Sequence, residues 1–172
     1  MNNQSIRQQP ALVPFSGTRV RFDSELDFEA VLENLRAHVG RPSALELSQI
    51  KTDPSTHDEF ARKIEGYIGD SEFMLFLELD HGAWIAKFGI RRRVLRWILG
   101  NPLIAITMIR HDVSAGLFAP VELLLVENER GGASVTYVLP SSLMMIEGNA
   151  ELRNAAIALD TKLEKLVAGA VK

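Results

Sequence analysis

The sequence contains no cysteine. That absence excludes disulfide-stapled scaffolds, thiolate metal centres and cysteine nucleophiles together. Long apolar runs are missing too. The most apolar stretch, Trp97 to Ile109, is interrupted by Gly100, Asn101 and Pro102 and is far too short to span a bilayer. Histidines number four, so any catalysis has to be built from those and from oxygen and nitrogen groups. The phosphate-binding P-loop, the dinucleotide fingerprint, H-E-x-x-H and the G-x-S-x-G elbow are all absent, and no metal or cofactor is expected. The segment Met1 to Ser16 is rich in Asn, Gln and Pro and has no apolar run of leader length. A cytoplasmic location without membrane association is the expectation, and Pro10 and Pro14 make residues 1–17 a loose arm.

What remains is a chain of 172 residues, 47% hydrophobic and 24% charged. That is enough for one globular domain, residues 18–172, to bury a core unaided. Thr18–Phe22 alternates apolar and polar and reads as a strand. Phe28, Val31, Leu32, Leu35 and Val39 share a helical face behind Asp27, with Gly40 as terminator. Residues 41–53 give no clear period. Thr56 and Glu59 fit a capping box for a helix carrying Phe60, Ile64, Tyr67 and Ile68. Strands follow at Phe73–Leu79 and Val94–Leu99, separated by a short helix over Ala83–Phe88 that Gly89 closes. Asn101 caps a further helix with Pro102 at its first position. Val121–Val126 and Ser134–Val138 form a hairpin whose loop holds Gly131 and Gly132. From Glu151 onward Leu152, Ala156, Leu159, Leu163, Leu166 and Ala170 make an amphipathic seam, suited to the sheet or to a partner helix.

Four short motifs in order carry a family resemblance: Leu77–Glu78–Leu79–Asp80–His81–Gly82–Ala83, Leu99–Gly100–Asn101–Pro102, Ala119–Pro120 leading into Val121–Glu127, and Tyr137–Val138–Leu139–Pro140–Ser141–Ser142. Together they resemble the DUF302 family over about Val20 to Met145. The resemblance implies an α+β fold, a two-layer sandwich of mainly antiparallel sheet backed by helices. It also implies a homodimer, and it brings no established activity. The chain departs from the compact pattern by an inserted segment at about 41–71 and by an additional C-terminal helix at about 150–171.

Charge is distributed unevenly. The net charge is −3, yet Lys87, Arg91, Arg92, Arg93, Arg96 and Arg110 lie between His81 and His111 with no Asp or Glu among them. The same block holds the helix start at Asn101, where free N–H groups and the dipole favour anions, and arginine grips carboxylate or phosphate in bidentate fashion. A small anionic ligand bound by His81, Arg91, Arg96 and Asn101 is therefore the leading site expectation. Asp80, His111 and Tyr137 stand as secondary candidates. The plainer reading makes Asn101 an ordinary cap and pairs the arginines with surface carboxylates. Arg91–Arg93 beside Trp97 would suit base stacking with phosphate contact, but the acidic total and the lack of a recognised module argue against nucleic acid.

Asp80–His81 and His111–Asp112 each put an imidazole beside a carboxylate, the raw material of acid–base catalysis or a metal site. Neighbours on a strand point to opposite faces, so adjacency alone does not make Asp80 orient His81. Glu122 and Glu127 oppose each other for the same reason, and Trp84, Phe88 and Trp97 fit packing as well as any cofactor box. Three function classes follow. The first is a dimeric small-anion-binding or regulatory protein; the second is an enzyme with a histidine acid–base group beside a basic pocket. The third is an interaction module using the C-terminal seam and the apolar helix Leu103–Met108.

Overall fold

The computed structural model describes residues 10–52, 55–129, 131–145 and 148–172; Met1–Gln9, most of the expected arm, lie outside them. Strand β1 (Arg19–Ser24) turns Val20 and Phe22 inward and leaves Arg19, Arg21 and Asp23 exposed. Helix α1 (Phe28–His38) starts where the Asp27 carboxylate accepts the Ala30 N–H at 2.8 Å, and it buries Phe28, Val31, Leu32 and Leu35. Its end departs from expectation. Gly40 adopts no left-handed conformation; it bridges to Met74 and passes so close to Tyr67 that no side chain fits between them.

Helix α2 (Ala44–Thr52) occupies the stretch whose sequence gave no clear period. Helix α3 (His57–Glu65) has the Thr56–Glu59 capping box in full. Strand β2 (Met74–Asp80) leads into α4 (His81–Ile85) and a tight helical turn over Ala86–Phe88, closed by Gly89 at φ 81°. Then come β3 (Val94–Gly100) and α5 (Pro102–Ile109) with Asn101 as its cap. Strands β4 (Val121–Glu127) and β5 (Ala133–Val138) form the hairpin, and Gly131 and Gly132 supply its positive φ angles. A short α6 (Pro140–Met144) precedes the long α7 (Ala150–Ala170).

The strands form one sheet in the order β1-β5-β4-β3-β2, with every neighbour antiparallel. This is the expected α+β sandwich. Period-two alternation sends Val135 and Tyr137, Leu123 and Leu125, and Leu95, Trp97 and Leu99 to one side, where they meet α1 and α7 in a single core. All six residues of the α7 seam are buried within the chain. Of the two uses its pattern allowed, packing on the sheet is the one realised, and the seam offers nothing to a partner helix. No helix among the described residues is long and apolar enough to cross a membrane.

Candidate functional site

The ladder register defines two ends of the sheet. Arg19, Val138, Val121, Leu99 and Met74 lie at one end, whereas Ser24, Ala133, Glu127, Val94 and Asp80 lie at the other. Asn101 belongs to the first end. His81 and Arg91 belong to the second, with the whole of β3, roughly 23 Å of extended chain, between them and Asn101. The residues of the expected anion site are therefore not brought together.

Each has a local partner or setting that explains it. Asn101 is buried; its Oδ1 accepts the Leu103 N–H at 2.8 Å, and its Nδ2 donates to the Glu72 carbonyl at 2.9 Å. His81 accepts the Trp84 indole N–H at Nδ1 (3.2 Å), and Asp80 caps α4 through the Ala83 N–H rather than orienting the imidazole. The His111 carbonyl accepts from Asn149 at the start of α7. The far end of α7 accepts from Asn34 and Ser24, beside the second end of the sheet. With α7 spanning about 31 Å, His111 and His81 sit at opposite ends of the molecule and share no site.

Tyr137 faces the helical layer and stacks on Phe22, ring centroids 6.5 Å apart. Its phenol is pushed up to about 12, first by burial and then by the charges of Glu164 and Asp160. The remaining candidates diverge. Arg91 borders a hollow of about 540 Å³ in which Arg36, Arg92 and Arg93 join it against Glu29, Glu78, Asp80 and Glu127, a charge-balanced cluster. Within it Arg93 pairs with Glu29 and lies 4.0 Å over the Phe28 ring, while Glu78 takes Arg36 at 3.5 Å and the Trp97 indole N–H at 2.8 Å. Trp97 is thus a core residue and offers no base-stacking surface. Arg96 points to the other face of the sheet, where its Nε donates to Glu122 at 3.0 Å.

That other face holds a hollow of about 740 Å³. The register lays residues across it in rows. Arg21, Thr136, Leu124, Arg96 and Leu79 form one row, and Asp23, Ser134, Val126 and Val94 form the next. Arg21 and Arg96 stand three strand spacings apart, about 14 Å at the backbone, and both side chains are long enough to lean over Leu124 and Thr136 between them. Four guanidinium groups line this groove (Arg19, Arg21, Arg92 and Arg96), with Glu122 as the one carboxylate. Arg21 pairs with Asp23 at 2.6 Å, and Arg92 donates to the Glu127 carbonyl at 2.6 Å and pairs with Glu129 at 3.7 Å. Arg19 has no side-chain partner among the described residues. Apolar Leu124, Val126 and Val138 make up the floor, and Leu117, Phe118 and Leu143 the wall. Arg19 and Arg21 were not singled out by sequence reasoning; their signal is the alternation Arg19–Val20–Arg21–Phe22, which puts both arginines on the face away from the core.

The family model described as "Domain of unknown function DUF302" matches residues 48–170. The chain belongs to the DUF302 family. The matched stretch starts within α2 and runs through α7, whereas the motifs of the sequence cover about Val20 to Met145. The crystal structure of an uncharacterized conserved DUF302 protein from Bacillus stearothermophilus superposes with a TM-score of 0.61 at 14% identity, covering 90% of this chain and 98% of that one. At that identity the likeness speaks for the DUF302 fold. No curated protein matches the chain.

Proposed function

We propose that this DUF302 chain is a cytoplasmic, homodimeric binder of small anions, with the arginine groove of the open sheet face as its site. The observation that carries the reading is the grouping of Arg19, Arg21, Arg92 and Arg96 around one hollow against a single lining carboxylate. Cations gathered on one wall favour an anion over water, and a guanidinium binds carboxylate or phosphate through two parallel hydrogen bonds. A volume of about 740 Å³ suits a small molecule. The apolar floor selects an anion with an apolar body, a medium-chain carboxylate more than inorganic phosphate, because only the former also removes apolar surface from water. The groove contains no histidine, which favours binding over an acid–base enzyme centred on His81 or His111. Leu77, exposed, and Ile98, beside it on β3, extend the same face away from the arginines and would be covered by a second copy.

Isothermal titration with octanoate and with phosphate tests the site. Octanoate should bind more tightly than phosphate, and Arg19→Ala and Arg96→Ala should each weaken it about tenfold, the scale of one charge-assisted hydrogen bond. Arg91→Ala, outside the groove, should bind as the wild type does. Octanoate binding that is absent, or equal in all three variants, overturns the proposal. Sedimentation velocity tests the assembly: a dimer that Leu77→Asp converts to monomer supports it, and a wild-type monomer refutes it.

A further inference from the structure

We propose that the finger formed by α4 and the turn behind it is a docking surface for an anionic lipid bilayer. Trp84, Phe88 and Ile90 are 51%, 76% and 50% exposed within one short stretch of chain. Trp84 and Phe88 are in edge-to-face contact at 6.2 Å, so two of them form one continuous aromatic patch. None of the three lines the hollows of about 740, 540 and 390 Å³, and a side chain added at Gly89 would meet nothing within 4 Å.

Its charge chooses the surface. Lys87 and Arg91 flank the aromatics, both exposed and both without a side-chain partner among the described residues. No carboxylate occurs between His81 and His111, in a chain whose net charge is −3. Lys87 and Arg91 therefore give the aromatic patch a local positive charge that an anionic surface attracts. Tryptophan and phenylalanine favour the level of the headgroups, with lysine and arginine reaching back to the phosphates. The indole N–H of Trp84 already donates to His81, so lipid immersion strands no donor. This mode needs no spanning helix, and it is independent of the arginine groove.

Co-sedimentation with phosphatidylcholine vesicles, with and without phosphatidylglycerol, tests it. The protein should pellet with the anionic vesicles only and less so as salt is raised. Trp84→Ala/Phe88→Ala and Lys87→Glu/Arg91→Glu should each lower the partitioning by about tenfold, since each removes either the apolar or the charged half of the attraction. Fluorescence gives a second readout from the same mixture. A blue shift on vesicle addition should survive Trp97→Phe and vanish in Trp84→Phe. Absence of binding to anionic vesicles, or binding by either double variant equal to that of the wild type, overturns the proposal. So does self-association that Trp84→Ala/Phe88→Ala abolishes while vesicles stay unbound, for the finger would then be an interface between copies.

Discussion

A Cβ built on Gly40 would lie 1.9 Å from the Tyr67 carbonyl oxygen, and one on Gly69 would lie 2.1 Å from that of His38. Both glycines belong to the strap where the chain leaves α1 and enters β2. There the Phe73 carbonyl accepts the N–H groups of both Gly40 and Gly69, and Leu75 donates to the Gly40 carbonyl. The obstructing atoms are backbone, so no rotamer change makes room. Gly40→Ala should cost about 2 kcal/mol or more in urea denaturation, in the range of overpacked sites. Gly169→Ala is the control: nothing lies within 4 Å of its added methyl, and within α7 it should gain about 0.5–1 kcal/mol. Tyr137 gives a second test at this scale. Its phenol titrates at about 12 in the folded chain, above its ordinary value of 10.0. The folded state therefore holds the proton after the unfolded chain has lost it. Stability from this group is complete below pH 10 and declines as pH rises through 12. Phenolate absorbance in a Tyr67→Phe background should show the late titration, and Tyr137→Phe should remove that share of the alkaline loss.

Asn101 shows what a single side chain does for an element. Its Oδ1 starts α5 and its Nδ2 holds the Glu72 carbonyl in the turn before β2, so one buried amide ties two connections. Asn101→Ala should cost about 2 kcal/mol, a lost cap plus an unsatisfied carbonyl. It should leave octanoate affinity unchanged, since Asn101 does not line the arginine groove; a weakened affinity would return it to a binding role. Helix α5 was legible from Asn101–Pro102 because caps are local chemistry, and α3 was legible from Thr56 and Glu59 for the same reason. Helix α2 was not: Ala-Leu-Glu-Leu-Ser-Gln-Ile-Lys-Thr has no strong apolar face, and none of its side chains that the structure describes is fully buried. The basic block was visible as composition but not as geometry. Arg91, Arg92 and Arg93 are consecutive and all border the smaller hollow, yet only Arg92 also lines the arginine groove, Arg93 reaches Glu29 beside α1, and Arg91 has no side-chain partner among the described residues. The three are engaged differently, so a run of like charge does not specify a site. The groove gathers its arginines from β1, β3 and the turn before β3, an association that only strand pairing creates.

At the scale of the molecule, the stretch matched by the family model is smaller than the unit that packs. Residues 48–170 omit β1 and α1. Strand β1 pairs with β5 along all six of its residues, and α1 contributes Phe28, Val31, Leu32 and Leu35 to the same core that α7 closes. Without them the β5 edge would present free N–H and C=O groups beside apolar surface, a template for pairing between chains. The missing helix would uncover the side of α7 that packs against it. Four buried apolar side chains at about 1.5–3 kcal/mol each contribute 6–12 kcal/mol, as much as the whole net stability of an ordinary domain. We therefore expect a fragment spanning residues 48–170 to aggregate or to bind a hydrophobic dye without cooperative melting. The full chain should melt in one transition. Calorimetry distinguishes the outcomes: a cooperative endotherm from the 48–170 fragment would mean that β1 and α1 decorate the fold, and its absence would mean that residues 18–172 fold as one unit.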